Sequence, residues 1–517
     1  MSPRRHLPTR RDLSRRGFLG TSALLALGAC TGCGDGTDLI PAWGFDFGGW
    51  DTGRDPEVAG PFDVPAAQKI DLVRHVAGRV SFGLRPDDYG RIRGLGATQE
   101  DAARAFLEEQ LAPESIEDES ARLIVRRLET LDEPVGMLFE FQPDLLLREL
   151  SRGALLRAVY SRRQLFEVMV SFWTDHFNID VSKGDCRWLK TADDRDVVRA
   201  HALGSFPELL RASATSPAML WYLDGRTNRR RTPDERPNEN YARELLELHT
   251  LGVDGGYTQQ DVMEVARCLT GWTVRSEEKF FKGRVEFRPD EHDNGAKTVL
   301  GHRIPSGLGR RDLDRVLDLV ALHPSTARFL ATKLCRRFIA TPPPTNAVDV
   351  VAQAFLDSRG DIRSTLRALF QTPEFFDEHS RYRGNRLKRP FHFVVSALRT
   401  TGAQTRADDR LLDYLLSMGQ APFQHPTPDG YPEEETPWLG TLVWRWKFAV
   451  ALAENRIPDV SLRIESLLRE FGDLEDLARH VLGRQPTAAE RSGILRSASR
   501  GPQALALLVA SPAFQRF

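Results

Sequence analysis

The chain has little of what the commonest catalytic signatures require. It contains no Gly-x-Gly-x-x-Gly fingerprint, no P-loop and no strand–helix alternation to carry either, which weighs against a nucleotide enzyme. No Gly-x-Ser-x-Gly occurs, so a serine nucleophile elbow has no support. No His-Glu-x-x-His places two imidazoles one helical turn apart, so that zinc geometry is missing too. Cysteines number five in 517 residues. Cys30 and Cys33 form the one Cys-x-x-Cys, and Cys186, Cys268 and Cys335 are spaced too widely for a zinc cluster. Neither sign of charge is in excess: 71 Lys and Arg face 72 Asp and Glu, for a net charge of −1. That balance argues against a nucleic-acid binder and against a polybasic membrane surface. What is plentiful is apolar and charged material together. Hydrophobic residues make up 41%, enough for a sizeable core, and 28% are charged.

The N-terminus reads as an address. Arg15-Arg16 sit in Ser14-Arg-Arg-Gly-Phe-Leu19, which fits a twin-arginine export signal. The apolar run Phe18–Ala29 is shorter than the ~20 residues a bilayer span needs. It ends in Leu27-Gly28-Ala29-Cys30, the pattern of a lipoprotein processing site. Cleavage there would leave Cys30 to carry lipid, and several acyl chains on one residue anchor stably where one would not. Residues 1–29 are therefore expected to be a signal peptide. The Gly-, Asp- and Pro-rich segment 30–65 is expected to be a flexible tether, with the protein facing the periplasm or exterior.

From residue 66 to 517 the pattern is mainly α. Apolar residues recur at three- and four-residue spacing over Ala103–Leu111, Leu145–Leu156, Leu165–Phe172, Val197–Leu210, Leu313–Leu330 and Val348–Leu356. Segment 273–304 differs: Val285-Glu-Phe-Arg alternates and turn residues abound, so a small β-hairpin or ordered loop is expected inside the helical domain. Gln420–Pro437, rich in proline, reads as a long functional loop. Cys268 and Cys335 fall within helical patterns as core thiols.

The densest chemistry lies in Asn238–Trp272. Asn238 is placed to cap a first helix whose buried stripe is Tyr241, Ala242, Leu245, Leu246 and Leu248. Glu239, Arg243 and Glu247 share the other face at i, i+4 spacing, and Glu244 and Glu247 point ~60° apart. Thr258 and Asp261 form a capping box for a second helix. Two readings follow. In one, Glu244, Glu247 and Asp261 or Glu264 meet His176 in a cleft for acid–base work, with Arg243 positioning an anionic group. In the other, Glu239–Arg243–Glu247 is a surface ion-pair ladder worth ~0.2–0.5 kcal/mol per pair. A transition-metal site would have to gather His176, Glu244, Glu247 and His292 from separate segments, because His249 points about 160° away from Glu247. Asp175 and His176 are neighbours on a helix, so their side chains diverge. Asp293-Asn294 serves a turn, and Lys297 beyond it is a candidate anion ligand.

The same stretch carries a resemblance. Asn238–Trp272 resembles the signature of the bacterial domain of unknown function 1800 family. So do His75-Val-Ala-Gly-Arg-Val-Ser-Phe-Gly83, Phe172-Trp-Thr-Asp-His-Phe-Asn178 and His292-Asp-Asn-Gly-Ala-Lys297 with Leu300-Gly301. His323-Pro-Ser-Thr-Ala-Arg-Phe329 with Lys333, and the closing run Gly419-Gln420 to Pro432 with Trp438, complete the set. The closing motif departs from the expected Gly-Trp-Pro in having Gly430-Tyr431-Pro432. The resemblance implies an exported protein, often accompanied by a co-exported sulfatase-like protein of unknown function. Two function classes remain. One is an acid–base or metal-assisted hydrolase acting on extracellular polymer, with His176, Glu244, Glu247, Arg243 and His292 at its site. The other is a non-enzymatic lipoprotein that binds or assembles a co-exported partner.

Overall fold

The computed structural model describes residues 70–517 apart from 233, 278–280, 377–381, 497 and 499. Arg15, Arg16, Cys30 and the tether lie outside the described residues. The fold is mainly α with small antiparallel two-stranded sheets, as the patterning predicts. Among the described residues no helix is long and apolar enough to cross a membrane.

Helix starts follow local chemistry. Thr98 and Asp101 box the start of Gln99–Leu111, and Thr258 and Asp261 box the start of Gln259–Cys268. Pro143, Pro324 and Pro390 open their helices at the first position, where the missing N–H costs nothing. Two periodic runs are each broken in the structure. Val197–Leu210 begins inside a wide-turn segment, Asp194–Arg199, and is interrupted at Gly204-Ser205 before a new helix, Phe206–Ala214. Leu313–Leu330 divides into Arg311–Ala321 and Pro324–Phe338. Periodicity carries across both breaks because each helix buries the same kind of stripe. The second break is set by Pro324, which drives His323 out of the helical region (ψ 142°), and the His323 ring then caps the Ser325 N–H at 3.2 Å.

Segment 273–304 takes part in two hairpins. Trp272–Val274 pairs with Val285–Phe287, and Lys297–Val299 pairs with His302–Ile304. Leu300 and Gly301, both at positive φ, make the tight turn of the second. A third pairing, Gln404–Thr405 with Val460–Ser461, has only two residues a side, too short for period-two alternation to register. Cys186, Cys268 and Cys335 are free and buried.

Candidate functional site

The helix Gln164–His176 ends in two residues, Asp175 and His176, that engage different partners. His176 is 1% exposed, set among the rings of Phe172, Trp173, Phe177, Phe206 and Phe329. Its Nε2 lies 3.2 Å from the His249 carbonyl oxygen, which can only accept, so Nε2 carries the proton. Nδ1 is then a lone pair, and it accepts from Lys333 Nζ at 3.0 Å. Burial, Lys333 and His249 all hold the imidazole well below its ordinary value, so it is neutral. His176 thus has both nitrogens engaged and positions Lys333.

Lys333 stands on Pro324–Phe338, the helix that His323 caps. Burial lowers its ammonium to about 8, with Asp175, Glu433 and Asp429 opposing the shift. Asp175 turns away from His176 and accepts from Arg389 at 2.8 Å. Burial pushes its carboxyl up while Arg389 pulls it down. Arg389 also reaches Glu433 Oε1 at 3.5 Å. Burial would raise Glu433, but Arg389, Arg386 and Arg337 hold it at about 2.

The long loop 420–437 ties this arrangement together. Asn178 donates to the carbonyls of His425 and Thr427, Tyr222 donates to that of Pro426, and the Val181 N–H donates to that of Phe423. Tyr431 donates to Ala421 and its own carbonyl accepts from Arg389. Gly430, at φ 75°, rests directly on Asp175: a Cβ there would stand 2.1 Å from the Asp175 carbonyl oxygen. Beneath the loop lies a cleft of about 580 Å³, partly open to solvent, with Asp175, Ser171, Thr174 and Tyr431 on its wall. The wide-turn segment adds Asp194 and Arg199 to its lining, and Arg199 pairs at 2.6 Å with Glu167 of Gln164–His176.

The other sequence-derived candidates lie elsewhere. Asn238 sits just outside the helix Asn240–Glu247 and accepts from the Asn240 N–H, with Glu239 at the cap position. Arg243 pairs with Glu239 at 3.1 Å and donates to Gln259, so half of the expected ladder exists. Glu244 is half-buried, its carboxyl raised by burial and then by Glu247. No hydrogen bond joins Glu244 or Glu247 to His176, although both Glu244 and Lys333 feel Asp429. Asp261 and Glu264 serve the second hairpin instead, accepting from the Leu300 and Thr298 N–H groups. His292 is buried there as well, between Thr270 and Asp312 (3.1 Å), with Lys297 on the same Asp312 at 2.5 Å. Asp293 is clasped by Arg267 and Arg230. Lys297 is consumed by this network and is not placed for an outside anion. Among the described residues no three His, Cys, Asp or Glu side chains are arranged to hold a metal ion.

Sequence reasoning missed Lys333, Arg389 and Glu433 as site residues. Lys333 stood in a quoted motif, but nothing in its spacing shows that the helix delivers it to His176. A family model described as "Protein of unknown function (DUF1800)" matches residues 75–516. No curated protein and no solved structure matches the chain.

Proposed function

The chain belongs to this DUF1800 family, and we propose that it is an exported, lipid-anchored envelope protein whose site performs acid–base chemistry on an extracellular polymer. Lys333 is the proton-transferring group and His176 its positioning residue. The observation that carries this reading is the 3.0 Å contact between Lys333 Nζ and the neutral Nδ1 of His176. A half-buried ammonium lowered to about 8 exchanges its proton near neutral pH, where an ordinary lysine does not. Asp175, on the cleft wall, and Glu433 supply the opposing charge. The test needs no substrate. Competitive acetylation of the intact protein, read by peptide mass spectrometry across pH, is expected to give Lys333 a midpoint near 8. A midpoint at the ordinary lysine value sinks the acid–base role. The anchor is tested separately: Cys30→Ser should move the protein out of the membrane fraction, and unchanged fractionation rejects the lipid.

A second reading, a non-enzymatic lipoprotein that binds a co-exported partner, is favoured by a different observation. Leu439, Leu442, Val443, Trp444 and Trp446 are all exposed within eight residues. Contiguous exposed apolar surface of this kind marks interaction sites. Trp444→Ser with Trp446→Ser should abolish co-purification of a partner if that reading holds and leave the Lys333 midpoint unchanged.

A further inference from the structure

Arg337 follows Lys333 by one helical turn, so both rise from the same face of Pro324–Phe338. Arg337 is 5% exposed, and among the described residues it makes no hydrogen bond or close ion pair, although Glu433 and Asp175 act on it from longer range. Its recorded neighbours are the rings of Phe338 and Phe517, at 5.6 and 5.8 Å. It lines a small, partly open pocket with Arg386, Arg389, His392 and Glu433. That pocket shares Phe82, Ser171, Phe391 and Gln420 with the larger cleft, so the two adjoin. Two further groups there are also left without partners: Nε of Arg386 and Nε2 of His392, both buried. Three guanidiniums thus face a single lining carboxylate, Glu433, which Arg386 and Arg389 already occupy. A buried cation left unpaired is expensive unless something completes it.

We infer that this pocket binds a dianionic oxyanion, a phosphate or sulfate group, with Arg337 as its principal donor and Arg386, Arg389 and His392 around it. The donors come from two separate helices and the strand of chain before the second, which suits a compact tetrahedral group better than a flat one. Arg337 supplies a fork of N–H donors, the geometry that phosphate and sulfate oxygens accept. Such a group, carried on a polymer in the adjoining cleft, would set the polymer against Asp175, one of the carboxylates that oppose the lysine's shift. This assignment of substrate class rests on the acid–base reading above, but the anion site can be measured without it.

The experiment is calorimetric titration of the full protein with inorganic phosphate, and separately with sulfate, alongside thermal melts. Wild type should bind one anion saturably and melt higher with it. Arg337→Met should melt higher than wild type in anion-free buffer, because a buried charge that Glu433 and Asp175 only partly offset is gone, and should lose binding. Arg337→Lys, which keeps the charge but not the fork, should bind about tenfold more weakly, the loss expected for a charge-assisted hydrogen bond. Lys333→Met should still bind phosphate. If it does while the acetylation midpoint of wild-type Lys333 proves ordinary, the acid–base reading falls and the anion site stands. Absence of saturable binding of either ion to wild type overturns the inference. So does undiminished binding in both Arg337 variants.

Discussion

Lys333 Nζ donates to Nδ1 of His176 across 3.0 Å, and among the described residues that ammonium makes no other hydrogen bond. The imidazole is therefore an acceptor that supports the charged lysine, even though burial of the pair opposes charge. His176→Phe keeps a ring among Phe172, Trp173 and Phe177 while deleting the acceptor. The Lys333 midpoint should then fall by about one pH unit, since a hydrogen bond to a charged group is worth about 1.5 kcal/mol. His176→Asn, which can still accept, should hold it nearer wild type. A rise in the phenylalanine variant would mean that the ring, and not its lone pair, sets the lysine.

The lowered lysine also makes a statement about stability. Its folded value, about 8, lies below the ordinary 10.5. Between those two values the unfolded chain holds more protons than the folded one, so stability rises with pH across that window. Below about pH 8 the full cost of desolvating the half-buried ammonium is present. Lys333→Met removes that cost at every pH. Its advantage over wild type should be largest below pH 8 and shrink towards pH 10.5, by about 1–3 kcal/mol. Denaturant melts of both proteins at stepped pH measure the difference, and a gap that stays constant would show Lys333 to be unshifted.

Much of the fold is legible in the sequence because it depends on local rules. The capping box of Thr258 and Asp261, the mainly helical pattern and the strands within 273–304 follow from spacing and turn chemistry alone. The breaks at Gly204-Ser205 and His323-Pro324 are local too, but regular apolar recurrence on both sides hides them. The candidate site is less legible. His176 stands out as a histidine in a motif, yet its partner lies 157 positions away. Glu244 and Glu247 draw attention by density, a property of one helix face, whereas the Asp175–Arg389–Glu433 network is assembled from three distant segments. Such convergence depends on how elements pack, which periodicity does not record.

Gly430 is where the loop and the site meet, and it tests whether they are one unit. Its positive φ is unfavourable for any side chain, and a Cβ would press 2.1 Å from the carbonyl oxygen of Asp175. Gly430→Ala must push the loop off the end of Gln164–His176 or distort the helix end itself. Backbone strain and overpacking together should cost about 3 kcal/mol. The displacement would reach Arg389 through Asp175 and the Tyr431 carbonyl, both of which it contacts. Glu433 is two residues beyond Tyr431, so the carboxylates that oppose the lysine's shift would move with the loop. The expected outcome is a lower melting temperature together with a further fall in the Lys333 acetylation midpoint. A drop in melting temperature with the midpoint unmoved would show that the loop braces the fold without governing the site.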